Sequence, residues 1–372
     1  MELGSNASFH SATFHGDARF NGARFGGVAQ FTNSSFRNAW FEGATLGTEA
    51  SFVGAKFGGT ARFDRATFGN AWFMEAEFDG LAQFEGTIFK DIAFSKATFG
   101  DLVRFPKVKV TGRSWFDNAI FSGALTFENA EFVGDVFFTG DPAHEGSTGR
   151  ADTFRGFADF RGAKFGRRAN FNNRRFVHGA DFRKAVFAVA PELHEVVLHQ
   201  DTRFDGTQFR DRKGTDEVDA AMAYRTLKLA MANVRATDEE ARFHALEQQS
   251  LRLKPDTPRL VRLFSRLYEM TADYGQSLAL PIFWLSSVFF IFFLLYAWVG
   301  GPVMWHEAGS IWSFALQQVF QPFAAFRTNA ISLILARQSP LSLACIAAVH
   351  SLLTFAFLAL FLLALRRRFR LT

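Results

Sequence analysis

Large apolar residues return every five or six positions along the first half of the chain, beginning Phe9, Phe14, Phe20, Phe25, Phe31, Phe36, Phe41, Leu46, Phe52, Phe57, Phe63, Phe68 and running on to Phe105. A small residue stands two places before most of them, as at Ala12, Ala18, Ala23 and Ala29. Residues i and i−2 share one face of an extended segment, so both point inward, while the residue between them, often Arg, Thr, Lys, Gln or Asp, points to water. Gly, Asn and Asp fill the remaining places and tolerate turn geometry. Each unit is therefore one short extended side and a corner. A helix is excluded, because a step of five turns a side chain about 140° past a full turn and would scatter the rings around the axis. A flat hairpin meander is excluded as well, since strands this short bury too little between turns. A solenoid remains. Four sides make a coil of roughly 20–22 residues, coils stack at about 4.8 Å, and the rings of each side pile into an interior ladder.

The units ATFHG, ARFNG, AKFGG and ATFGN resemble the pentapeptide-repeat family, whose central residue is Leu or Phe with Ala two before it, and the resemblance covers residues 7–105. It implies a right-handed quadrilateral β-helix, a β-solenoid whose core ladder includes Phe14, Phe20, Phe25, Phe31, Phe36, Phe52, Phe57, Phe63 and Phe68. Steps of six depart from a strict pentapeptide; the one from Phe14 to Phe20 implies a lengthened corner at His15 to Asp17. The register persists to Phe209, which assigns residues 1–212 to the β-helix. Three stretches, near 106–113, 139–152 and 188–201, are expected to interrupt it as looped-out turns or irregular coils.

Within residues 213–275, the stretch 216–253 loses glycine and gains helix formers. Tyr224, Leu227, Met231 and Val234 fall on one face at steps of three and four, and Thr237 with Glu240 reads as a capping box opening a second helix. The expectation is a cytoplasmic α-helical hairpin followed by a juxtamembrane linker. Tyr224, Arg225, Leu227, Lys228, Ala241, Phe243 and Glu247 resemble the helical pair that follows the rod in membrane-bound pentapeptide proteins.

Residues 276–372 read as a two-span α-helical membrane domain, with one span at about 278–299 that holds no charge and another at about 341–365 whose one ionisable group is His350. Between them, about 311–326 is apolar but too short to cross, as expected of a re-entrant or interfacial helix. Span, half-buried helix, span is similar to the two-helix potassium-channel pore, a module that some pentapeptide-repeat proteins carry. QPFAAFRTN after Phe320 departs from that pore, because it has no glycine and no filter segment whose carbonyls replace an ion's water. Gln317, Gln318 and Gln321 either line a polar constriction or turn to water and headgroups. His350 is either functional or a histidine bonded to a neighbouring helix.

Charge sharpens this division. Residues 1–212 carry 25 basic and 25 acidic side chains, leaving 16 basic and 11 acidic for the remainder. A neutral rod argues against DNA-shape mimicry, which needs a strongly acidic face, and no nucleic-acid partner is expected. The excess cations flank the spans: Arg252, Lys254, Arg259, Arg262 and Arg266 on one side, Arg366, Arg367, Arg368 and Arg370 on the other. Positive-inside logic then puts rod and carboxyl terminus in the cytoplasm of a two-pass protein of the plasma (inner) membrane. The opening MELGSNASF has no basic segment or apolar core of a secretory signal. Composition adds that 49 Phe against 4 Tyr serve one repeated structural job, and that the single Cys345 leaves no disulfide framework. His194 and His199 lack Cys or carboxylate companions for a metal, and no phosphate loop, nucleophile elbow or dinucleotide fingerprint is present. No enzyme activity, cofactor or metal is expected. Two functions fit: a membrane-held scaffold or sensor for an unknown protein partner, or a homo-oligomeric, channel-like pore gated by the rod.

Overall fold

The computed structural model describes residues 1–143, 145, 146, 149–210, 220–300, 308–320 and 340–369. The chain divides into two compact units, Met1–Glu240 and Ala241–Thr372.

The first unit is a parallel β-solenoid of about nine coils. In-register pairing sets Phe36 against Phe57, Phe57 against Phe78 and Phe78 against Phe99, so each ring meets another of the same side. Parallel strands fix the ring spacing: centroids lie 5.0 Å apart for Phe36–Phe57, 4.6 Å for Phe57–Phe78 and 4.7 Å for Phe52–Phe73, with planes 5°, 5° and 2° apart. Rings of different sides meet edge to face, as Phe52 and Phe63 do at 82°. Four ladders result, starting from Phe9 (side 1), Phe14 (side 2), Phe20 (side 3) and Phe25 (side 4). Ala29, Ala39, Ala50, Ala55 and Ala61, two places before ladder residues, are fully buried and leave the rings their room.

Corners follow sides 1 and 3 in the left-handed backbone region, two residues past the ladder position, as at Gly22, Asn33, Gly43 and Gly54. Glycine and asparagine suit them; Arg65, Glu75 and Lys96 hold the same conformation at a cost of about 1 kcal/mol each. Six-residue steps are absorbed by a register slip, between Phe14 and Asp17 against Phe36 and Asn38, and again where Leu46 and Glu49 face Phe68 and Asn70. At the second slip only glycine fits, because Gly47 has φ 44° and a Cβ there would stand 1.8 Å from the Gly27 carbonyl oxygen.

Two of the three expected interruptions are corrected. Residues 106–113 stay in register: Lys109–Val110 pairs with Ile88–Phe89 on one side and Glu131–Phe132 on the other, and Val110 fills the ladder place of a phenylalanine. Pro106 sits at a corner, where its carbonyl accepts from Gly86 N and no N–H is needed. Residues 188–201 also complete a coil, bridging Asn170 to Glu192, Arg175 to Val197 and Asp181 to Arg203, with Leu193 turned inward. Only the middle stretch leaves the coil. Phe121 pairs directly with Phe154, so the extra residues project beyond Phe138, and Glu145–Gly146 pairs antiparallel with Gly149–Arg150. Residues 144, 147 and 148 of that stretch lie outside the described residues.

Arg174 braces the departure. It occupies an inward place that alanine fills in other coils, is fully buried, and donates to Phe116 O and Ala119 O, each at 3.0 Å, and to Phe138 O and Ala151 O at either end of the excursion. Its guanidinium lies 4.8 Å from the Phe154 ring centroid. Burial pulls its pKa down to about 9, opposed by the charges of Asp117 and Asp152. Beyond the last coil, α1 (Ala220–Asn233) buries Tyr224, Leu227 and Met231. Tyr224 stands edge-on to Phe209 at 5.5 Å and covers the open end of its ladder.

The helices continue as α2 (Thr237–Leu253), α3 (Arg259–Ala272), α4 (Ala279–Gly300), α5 (Ala308–Phe320) and α6 (Pro340–Phe369). Ala279–Val299 and Cys345–Arg366 are long and apolar enough to cross a membrane. Ser277 caps α4, its Oγ accepting from Leu280 N at 3.1 Å. Phe283, Leu294 and Trp298 of α4 and Leu352 of α6 are 61%, 60%, 80% and 63% exposed, an arrangement suited to a lipid surround. The core joins Phe289, Phe292 and Tyr296 of α4 to Ile311, Phe314 and Ala315 of α5 and Ala347 of α6. The short helix expected over 311–326 is α5; residues 321–326 lie outside the described residues.

Candidate functional site

Polar chemistry inside the helical unit is concentrated where α4, α5 and α6 meet. His350, Ser351, Thr354 and Gln318 are each fully buried. His350 and Thr354 are four apart on α6 and so share a face. The His350 ring lies flat against Phe292 at 4.6 Å, and its Nδ1 shares a hydrogen bond with Tyr296 Oη at 3.1 Å, which is the bond to a neighbouring helix weighed from sequence. Ser351 Oγ donates to Gln318 Oε1 at 2.8 Å. Among the described residues, Gln318 Nε2, His350 Nε2 and Thr354 Oγ1 meet no hydrogen-bond partner. Three polar atoms are thus left unmatched where burial makes such groups costly.

The glutamines separate. Gln318 turns inward, Gln317 is exposed, and Gln321 lies outside the described residues. Sequence reading missed Tyr296, Ser351 and Thr354, which are ordinary span residues until packing sets Tyr296 against His350 and Gln318 against Ser351. The core-ladder phenylalanines from Phe14 to Phe68 line the solenoid interior, where they do structural work only. Against the sequence reading, each histidine has a carboxylate beside it: His194 lies 3.6 Å from Glu195 and His199 3.4 Å from Asp201, on separate parts of the last coil, and no group of three possible metal ligands forms among the described residues.

On the outside of the solenoid, side 1 carries a column of aromatic residues. Strand pairing stacks Trp72, Ala93, Trp115 and Phe137 in successive coils, each one place before an interior ladder residue and therefore pointing outward. The two indoles lean together over Ala93, with centroids 6.5 Å apart, which buries Ala93 although it faces out. Trp72 Nε1 donates to Glu49 Oε1 at 2.9 Å, and the Arg168 guanidinium sits 5.7 Å from the Phe137 ring centroid while pairing with Glu192. The signal was present in the sequence, since the outward place that elsewhere holds Arg, Thr or Gln holds tryptophan here. Side 3 is ionic in the coil of Phe137 and in the next: Arg161 pairs with Asp159 at 2.7 Å and, one coil further, Arg183 with Asp181 at 2.6 Å. Burial would raise the Asp181 carboxyl, but hydrogen bonds from Arg183 and the charges of Arg183 and Arg161 outweigh it and hold it below the usual carboxylate range.

Residues 9–55, 41–88 and 75–120 match the family of pentapeptide repeats in the form of nine copies. No curated protein and no solved structure matches the chain. The coils beyond residue 120 continue the same ladders, as Phe127–Phe160, Phe160–Phe182 and Phe182–Phe204 show. Residues 9–120 thus match pentapeptide repeats and the same solenoid continues to Phe209, on a chain with two helices long and apolar enough to cross a membrane.

Proposed function

We propose that this is a non-enzymatic, two-pass membrane protein that presents its solenoid in the cytoplasm as a binding scaffold or sensor, and that a protein partner docks on the Trp72, Trp115 and Phe137 column. That column carries the reading. It is a half-buried aromatic strip packed about Ala93 on the outer face of side 1, whereas the exposed apolar residues elsewhere on the solenoid, such as Ile88, Phe157 and Val177, are not stacked with other aromatics among the described residues, and aromatic anchors dominate protein recognition. A repeating backbone holds them rigidly, so docking costs little ordering of the scaffold. The arginines flanking both apolar helices support a cytoplasmic rod at the inner membrane. The test is site-specific photo-crosslinking in native membranes, with a benzophenone amino acid at Trp115 and, as a control on side 2, at Glu77. A discrete adduct at position 115 that is absent at 77 and lost with Trp72→Ser supports the scaffold; equal labelling at both positions removes the column from function.

A second reading, an oligomeric channel-like pore gated by the rod, is favoured by the unmatched polar atoms of Gln318, His350 and Thr354. Several copies would share these groups around a conducting path. Oligomeric mass in detergent and ion flux after reconstitution separate the two readings.

A further inference from the structure

Helix α3 has an apolar side that is left exposed among the described residues. Leu260, Leu263, Phe264 and Leu267 recur at steps of three and four along it and are 68%, 52%, 67% and 46% exposed. Its other side carries Arg259, Arg262, Arg266 and Glu269 and is tied to neighbouring segments. Gln249 Nε2 donates to Glu269 Oε1 at 3.0 Å, Arg252 pairs with the same carboxylate, and Arg262 donates to Pro255 O at 2.7 Å. Ser265 Oγ and Tyr274 Oη share a hydrogen bond of 2.9 Å. The hydrogen bond to Glu269 keeps Arg252 firmly charged. These ties fix how α3 is rotated and hold its apolar side outward. The helix ends at Ala272, α4 begins at Ala279, and Trp284 Nε1 of α4 donates to Met270 O of α3 at 3.0 Å. Its exposed leucines are therefore anchored to the start of a helix that exposes Ile282 and Phe283 in turn.

We propose that α3 lies in the headgroup region of the bilayer, with Leu260, Leu263, Phe264 and Leu267 in the acyl boundary and Arg259, Arg262 and Arg266 reaching anionic phospholipid headgroups. Two observations select lipid as the occupant. The apolar side continues from a helix long and apolar enough to span, and the polar side is cationic, the pairing by which amphipathic helices bind anionic interfaces. Arginine at the border of the two sides keeps its stem over apolar surface and its charge at the headgroups. The inference rests on the membrane reading of α4 and α6.

The test uses the full chain in a Cys345→Ala background, reconstituted into phosphatidylcholine vesicles with and without phosphatidylglycerol. Single cysteines at Phe264→Cys, Arg262→Cys and Leu294→Cys carry a nitroxide, and collision with oxygen is compared with collision with a water-soluble nickel chelate. With phosphatidylglycerol present, position 264 should favour oxygen, as position 294 does, and position 262 should favour the chelate. Omitting phosphatidylglycerol, or combining Arg259→Gln with Arg266→Gln, should raise chelate collision at 264 several-fold. Equal chelate access at 264 and 262 while 294 stays in lipid overturns the proposal. Shielding of 264 from both quenchers also overturns it, because a protein then covers the face. Chelate access at 294 is a separate failure, that of the membrane reading itself.

Discussion

A side chain buried in the solenoid meets its own kind above and below, whereas one buried between α4, α5 and α6 meets a different partner in each direction. Phe57 stacks on Phe36 and on Phe78 at nearly the same distance and angle; His350 has a phenylalanine on one ring face, a tyrosine hydroxyl on Nδ1 and no partner among the described residues on Nε2. Repetition spreads stability over many equivalent contacts and leaves the outside free to vary. The unique packing of the helices instead concentrates polar groups at one place. Function on the solenoid is therefore to be sought on its surface, and in the helical unit at its core.

The difference can be broken most severely by a charge in the ladder. Phe63→Asp removes a ring that contacts Phe41 and Phe84 in its own ladder and buries an unpaired carboxylate, at a cost of about 5 kcal/mol or more. Hydrogen exchange in the full chain should then show lost protection through the coils around residue 63 while α4 and α6 keep theirs. Gly47→Ala comes next, with an expected loss of about 3 kcal/mol, because φ 44° and the Gly27 oxygen both oppose a Cβ. Gly22→Ala, at φ 64° but with open space around it, should cost about 1 kcal/mol, so comparing the two melting curves separates clash from conformation.

Arg174 is the solenoid's exception and tests the rule from inside. Arg174→Ala should destabilise by about 3 kcal/mol through cavity and lost bracing, whereas Arg174→Met, which keeps volume and removes the buried charge, should cost less than about 1 kcal/mol. A methionine variant as unstable as the alanine one would mean that the four carbonyl contacts, rather than volume, hold the excursion. The smallest effect is expected in the helical unit. Gln318→Leu removes one hydrogen bond and one unmatched amide, and stability to denaturation in detergent should change by about 1 kcal/mol or less.

The ladder was legible because one residue type, repeated, marks every inward place, and the physical chemistry of strands converts that spacing into a coil. Val110 and Leu193 were hidden for the converse reason. They fill ladder places with a different apolar residue, and next to Pro106 or Pro191 the sequence reads as a break although the backbone continues. Arg174 was invisible because a guanidinium at an alanine place is excluded by size and charge unless the chain departs nearby and supplies carbonyls. Gln318 and His350 were visible as polar residues in apolar surroundings. Thr354 follows from the four-residue spacing, but their direction and the contacts of His350 with Tyr296 and of Ser351 with Gln318 depend on helix packing that periodicity does not encode. The aromatic column could have been read from the register, since the place before each ladder residue points outward.

The most direct measurement is ion flux through vesicles holding the full chain, wild type and Gln318→Leu side by side. If the solenoid surface carries the function and the helices anchor it, potassium and sodium flux should equal that of empty vesicles for both proteins. A wild-type conductance that falls with Gln318→Leu would contradict this, assigning the polar cluster to a pore and the solenoid to its control.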